Sequence, residues 1–168
     1  IRTSLNMTTA NLGTITSLGK LMEMIFGPIW GMLADRFSRK RILIIGTGGW
    51  GLWTLLIGFS ASYEMLLTLR MVAAIGLVAL GAPMNSMLTD MFPQKERGKV
   101  FGIMRMISSL AVIASILFFG LMSEIPETGW RIGFIIFGAL SMLSGLIFAI
   151  FLTEPRRGAA EASIYDLA

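Results

Sequence analysis

Cysteine and histidine are both absent from this chain. Without thiols there can be no disulfide and no thiol redox chemistry, and without imidazole the commonest metal ligand and the usual acid or base near neutral pH are missing as well. Any proton chemistry falls to carboxylates, lysine, arginine or tyrosine. Charge is scarce too: 14% of the 168 residues are charged, against roughly a quarter in a soluble domain. No Ser-His-Asp, CxxC, HExxH or phosphate-loop pattern occurs, and the glycine-rich stretch Gly46 to Gly51 lies inside an apolar run instead of between a strand and a helix. These absences predict a non-enzyme with no cofactor, no catalytic residue and no metal site.

What the chain has in quantity is apolar surface. It is 55% hydrophobic with a mean hydropathy of +0.76. About 20 apolar residues cross a bilayer core as a helix, and five windows qualify: Leu12 to Ala34, Ile42 to Ser60, Met65 to Leu88, Val100 to Met122 and Trp130 to Leu152. They lack the period-2 alternation of a membrane barrel, so the backbone must satisfy itself within helices. The predicted fold is an all-α membrane protein with five transmembrane helices, whose first partner is the lipid bilayer. The formal charge of +4 and the isoelectric point near 10 do not indicate nucleic acid, because the cations sit in short loops between apolar runs.

Those cations orient the bundle. The bend Gly31-Met32-Leu33-Ala34-Asp35-Arg36-Phe37-Ser38-Arg39-Lys40-Arg41 joins the first two windows, and its positive charge marks it as cytoplasmic. With that choice the inner segments hold Arg36, Arg39, Lys40, Arg41, Lys95, Arg97, Lys99, Arg156 and Arg157, nine in all, against Arg2 and Arg131 outside. Residues 1–11 are then an extracytoplasmic loop, 12–152 a partial N-terminal transmembrane bundle and 153–168 the start of a cytoplasmic linker. The N-terminus lies outside and the C-terminus inside, in what is expected to be a bacterial inner membrane. The opening lacks the basic-then-apolar order of a signal peptide, so one further helix upstream is the simplest way to give six spans with both ends in the cytoplasm.

Three cations, Lys20, Arg70 and Arg105, fall inside the windows. A charge there costs roughly 2.5 to 3.5 kcal/mol on insertion scales, so each needs a partner or a watery cavity. Lys20 and Glu23 share a helix face at three residues apart. They read either as a structural ion pair or as part of a substrate or ion path. Arg70, about 9 Å below the outer end of its window, is a candidate partner for an anion or carboxylate, while snorkelling to the headgroups accounts for Arg105. Gly27 with Gly31, and Gly98 with Gly102, have the four-residue spacing that lets helix backbones approach. Pro28 and Pro83 are expected to kink their helices.

The bend also carries a resemblance. Gly31-x-Leu33-Ala34-Asp35-Arg36-x-Ser38-Arg39-Lys40 resembles the signature loop between the second and third helices of major facilitator superfamily transporters, with Ser38 in place of the usual glycine. Arg70 with Gly76 looks like the arginine motif of that family's fourth helix, although Ala73 and Ala74 stand where Gln and Gly are common. Asp90, Pro93 and Glu96-Arg97-Gly98 resemble its cytoplasmic exit, and Gly129-Trp130-Arg131 the approach to the sixth helix. Glu154-Pro155-Arg156-Arg157-Gly158 resembles the Spinster-like lipid-transporter branch. The Gly-Pro-rich fifth-helix motif of drug/proton antiporters is not present.

The resemblance implies that the five spans are helices two to six of an N-terminal six-helix bundle, with a first helix and a C-terminal six-helix bundle as partners. It implies a cytoplasmic gating motif made of Gly31, Asp35, Arg36, Arg39, Lys40, Asp90 and Arg97, in which Asp35, Arg39 and Asp90 form a charge network. Lys20, Glu23 and Arg70 become the candidates for a substrate or coupling path. The implied function is secondary active transport of a small organic or amphiphilic solute by alternating access, with room for proton or sodium coupling. The alternative is a non-transporting membrane receptor or assembly module built on the same bundle.

Overall fold

The computed structural model describes residue 5, residues 7–125 and residues 128–154. Arg2, Arg156, Arg157 and most of the expected linker lie outside them. The described residues form helices joined by short turns, in five successive rods. The first is α1, Thr9–Arg36. The second runs α2 (Arg39–Ile44), a π-helical turn at Ile45–Gly49 and α3 (Trp50–Ile57). The third runs α4 (Tyr63–Leu77), a 3-10 turn at Val78–Leu80 and α5 (Gly81–Met91). The fourth and fifth are α6, Gln94–Ser123, and α7, Gly129–Phe151.

Local chemistry sets the ends. Thr8, Ser38 and Ser62 cap α1, α2 and α4 by accepting from the backbone N–H groups of Asn11, Arg41 and Met65, which satisfies donors that a helix start leaves free. Helices therefore run past the apolar windows at most ends, because caps and polar turn residues extend them. The second rod instead stops short, at Ile57, where Ser60 turns the chain by donating to the Ile57 carbonyl at 2.7 Å.

Three of the helical stretches are long and apolar enough to cross a membrane: Tyr63–Met91, Gln94–Ser123 and Gly129–Phe151. Lys20 and Glu23 sit midway along α1, and three cations open the second rod. In α6 no residue is buried, and Leu110, Ile113, Ile116, Leu117 and Leu121 are all more than half exposed. Apolar surface on that scale belongs against hydrocarbon or another bundle.

The tightest seam joins the second rod to α7. A Cβ added at Gly145 would lie 2.4 Å from the Cα of Gly48, so the two backbones are in direct contact and only glycine fits. The Ser141 hydroxyl of α7 donates to the Thr47 carbonyl of the π turn at 2.7 Å. From the sequence alone close packing is expected at Gly27/Gly31 and Gly98/Gly102. The structure corrects this: a Cβ at Gly31, Gly98 or Gly102 would meet nothing within 4 Å.

The two prolines also differ. Pro28 lies within an unbroken α1. Pro83 cannot donate to the Ala79 carbonyl, and the ladder shifts to 3-10 geometry at that level.

Candidate functional site

Polar groups gather at two places. The first is the short connection between α1 and α2. Helix α1 stops at Arg36, Phe37 is extended, and Ser38 starts a new helix. Arg39 is thereby buried, and its guanidinium pairs with the Asp90 carboxylate at the end of α5. Arg97 reaches back from the first turn of α6, donating to the carbonyls of Phe92 at 3.1 Å and Thr89 at 2.9 Å. It covers the carbonyls that end α5, where a cation is favoured by the helix dipole. Asp35 and Arg36 are exposed, and Asp35 has no partner among the described residues. The turn at Phe37 explains this: Asp35 and Arg39 are four apart in sequence but belong to different helices. Gly31 is half-buried in α1 and Lys40 half-buried in α2.

A residue that sequence reasoning did not place here completes the cluster. Glu154, just past α7, accepts from the Arg39 backbone N–H at 2.8 Å and from the Ser38 hydroxyl. Desolvation of the carboxyl opposes ionisation. The Ser38 hydroxyl, the backbone N–H groups of Arg39 and Lys40 and the Arg39 guanidinium outweigh it and hold Glu154 below its usual carboxylate range. Ser38 thus has a use that glycine would not, as both helix cap and Glu154 ligand. The signal in the sequence was that substitution itself, but its partner lies 116 residues away.

The second place is a cavity of about 370 Å³ lined by residues of all five rods. Lys20, Glu23 and Arg70 all line it. Lys20 and Glu23 pair at 2.7 Å, with side chains 71% and 24% exposed, and Arg70 has no partner among the described residues. Trp50, Phe119, Phe134 and Phe137 add an aromatic lining.

Indole hydrogen bonds tie the neighbouring rods together. The ring N–H groups of Trp30 and Trp50 donate to the α4 carbonyls of Ile75 and Val72 at 2.8 and 2.7 Å, and the two rings meet edge to face at 5.6 Å. Trp50 occupies the space beside Gly76, where any Cβ would overlap the indole. Such a cavity, lined by aromatic rings and a few charged groups, is the form of a site for a small organic molecule. No group of three or more carboxylates able to hold a metal occurs among the described residues.

A sequence profile of the Major Facilitator Superfamily matches residues 1–165. A probable sulfoacetate transporter of Cupriavidus necator is 30% identical over 156 residues, covering 92% of this chain and 35% of that protein. A cis,cis-muconate transport protein of Acinetobacter baylyi is 29% identical over 158 residues, covering 92% of this chain and 37% of that one. Among solved structures, a bacterial homolog of the human lysosomal transporter Spinster, inward-facing and occupied, superposes with a TM-score of 0.79 at 28% identity, over 96% of this chain and 40% of its own. The chain thus spans about a third to two-fifths of the length of these proteins.

Proposed function

The chain belongs to the major facilitator superfamily, and on that footing we propose that it is part of a secondary active transporter that moves a small organic solute across the membrane by alternating access. The observation that carries the reading is the meeting of Lys20, Glu23 and Arg70 in one cavity within a bundle of apolar helices. Isolated charges in such helices are costly, and their convergence on a space of solute size is what a transport path requires.

In this reading the five rods are the second to sixth spans of an N-terminal bundle. The bend at Gly31 to Arg41 faces the cytoplasm, and a first helix and a C-terminal bundle complete the site. The Arg39–Asp90 pair braces the cytoplasmic end, and exposed Asp35 is free to meet a helix start in the other bundle, where a carboxylate is favoured. Opening toward the cytoplasm would break that contact, and solute or a coupling proton or sodium ion would shift the equilibrium. Relatives named for sulfoacetate and cis,cis-muconate support a small organic solute.

The test is flux into proteoliposomes made with the full-length protein, using a panel of labelled neutral and charged organic solutes. At least one solute is expected to accumulate, and Asp35→Asn and Asp90→Asn are each expected to lower its flux at least tenfold while insertion and folding are normal. No flux of any solute by the parent protein would sink the transporter reading. Unchanged flux in both variants would sink the latch.

A further inference from the structure

A second cavity, of about 430 Å³, lies between α5 and α6 and shares Leu80 with the first. Its walls are two matching helical faces. Gly81, Met84, Asn85 and Leu88 come from α5, and Phe101, Met104, Arg105 and Ser108 from α6, each set at the i, i+3, i+4, i+7 spacing of a single stripe. Arg105 thus lines an open cleft between the two helices, and both it and Asn85 are exposed. Neither Arg105 nor Asn85 has a side-chain partner among the described residues, and the Ser108 hydroxyl is already donating to the Met104 carbonyl at 2.8 Å. The free donors of this cavity are the Arg105 guanidinium and the Asn85 amide.

The two cavities in series carry Lys20, Arg70 and Arg105 against a single carboxylate, Glu23. Such a path concentrates anions and repels cations. Arg70 and Asn85 stand fifteen residues apart on one rod, about 22 Å along its axis, so a small solute touches them in turn, not together.

We propose that Arg105 and Asn85 form an inner station for a small organic anion, which reaches it from the cavity that holds Arg70, past Leu80. This rests on the transporter reading above. The class of solute follows from the walls. A carboxylate or sulfonate suits the guanidinium groups, whose paired N–H donors match two oxygens. An apolar or planar body suits Trp50 and the three phenylalanines of the outer cavity, and Met84, Met104 and Phe101 of the inner one, where methionine adapts to varied shapes.

The experiment uses benzoate and its neutral isostere benzamide as probes, with the full-length protein in proteoliposomes and with Trp50 fluorescence, read in a background whose other tryptophans are replaced by phenylalanine, reporting occupation of the outer cavity. Saturable benzoate uptake is expected, with benzamide at least tenfold slower. Arg105→Gln is expected to cut benzoate flux at least tenfold while the fluorescence response to benzoate stays within a factor of about two, and Arg105→Lys to restore much of the flux. Equal uptake of both probes, benzoate flux unchanged in Arg105→Gln, or loss of the outer-cavity response together with the flux would each overturn the inner station. If other solutes move and benzoate does not, the anion class fails and transport stands. If nothing moves at all, the transporter reading falls and the inner station with it.

Discussion

Arg39 joins three elements at once: its guanidinium holds Asp90 in the last turn of α5, its backbone N–H holds Glu154 after α7, and it begins α2 itself. Its Nε is buried with no hydrogen-bond partner, so the guanidinium keeps a donor in reserve at the point where the elements meet. Glu154 gives the cluster a pH signature. Its folded value lies below the usual carboxylate range, so its contribution is complete above the ordinary value of about 4.3 and disappears as pH falls through the lower folded one. The contact is exposed and screened, worth about 0.5 kcal/mol. Glu154→Gln is therefore expected to lower the thermal midpoint by about 1 to 2 °C at pH 7 and to match the parent protein once the carboxylate is protonated; a gap that persists at low pH would show that charge is not involved. At this scale the sequence told only part. The resemblance implied one network of Asp35, Arg39 and Asp90, but the turn at Phe37 places Asp35 and Arg39 on different helices. No local pattern could pair Ser38 with a residue beyond α7.

Among the helices, the seam between the second rod and α7 decides the packing, and its controlling residues are small. Gly145 against Gly48 leaves no room for a side chain, and overpacking of this kind costs typically 1 to 3 kcal/mol. Gly145→Val is expected to destabilise the folded protein by about that amount, whereas Gly31→Ala, with open space around it, should stay within about 0.5 kcal/mol; denaturation curves in detergent compare the two, and equal effects would refute the seam. Positions of the helices were legible because long apolar runs leave no other choice of secondary structure. The π turn was not. Gly46, Gly48 and Gly49 signal small size without saying which backbone comes close, and the answer depends on Ser141, far along the chain. Of the two prolines expected to kink their helices, only Pro83 goes with a change in the ladder, the 3-10 turn at Val78–Leu80.

For the molecule as a whole, the distribution of cations gave an orientation before any coordinates. It predicts that Arg41→Cys and Lys95→Cys react with an impermeant maleimide only from the cytoplasmic side, and Ala61→Cys and Glu124→Cys only from the outside. All four sites are exposed, and the chain has no cysteine of its own to interfere. The reverse labelling pattern would overturn the orientation, and labelling of all four sites from the same side would overturn the five-span count. What composition could not show is how the charges inside the helices converge, because convergence is a property of the assembled rods. The seam between Thr47 and Ser141 spans 94 residues of sequence, and it has a consequence in time. A ribosome adding about 5 to 20 residues per second needs roughly 5 to 20 seconds after making Thr47 before Ser141 exists. Throughout that interval Gly48 of the second rod waits in the membrane or its insertion machinery without the α7 backbone that covers it, and this seam can close only once α7 arrives.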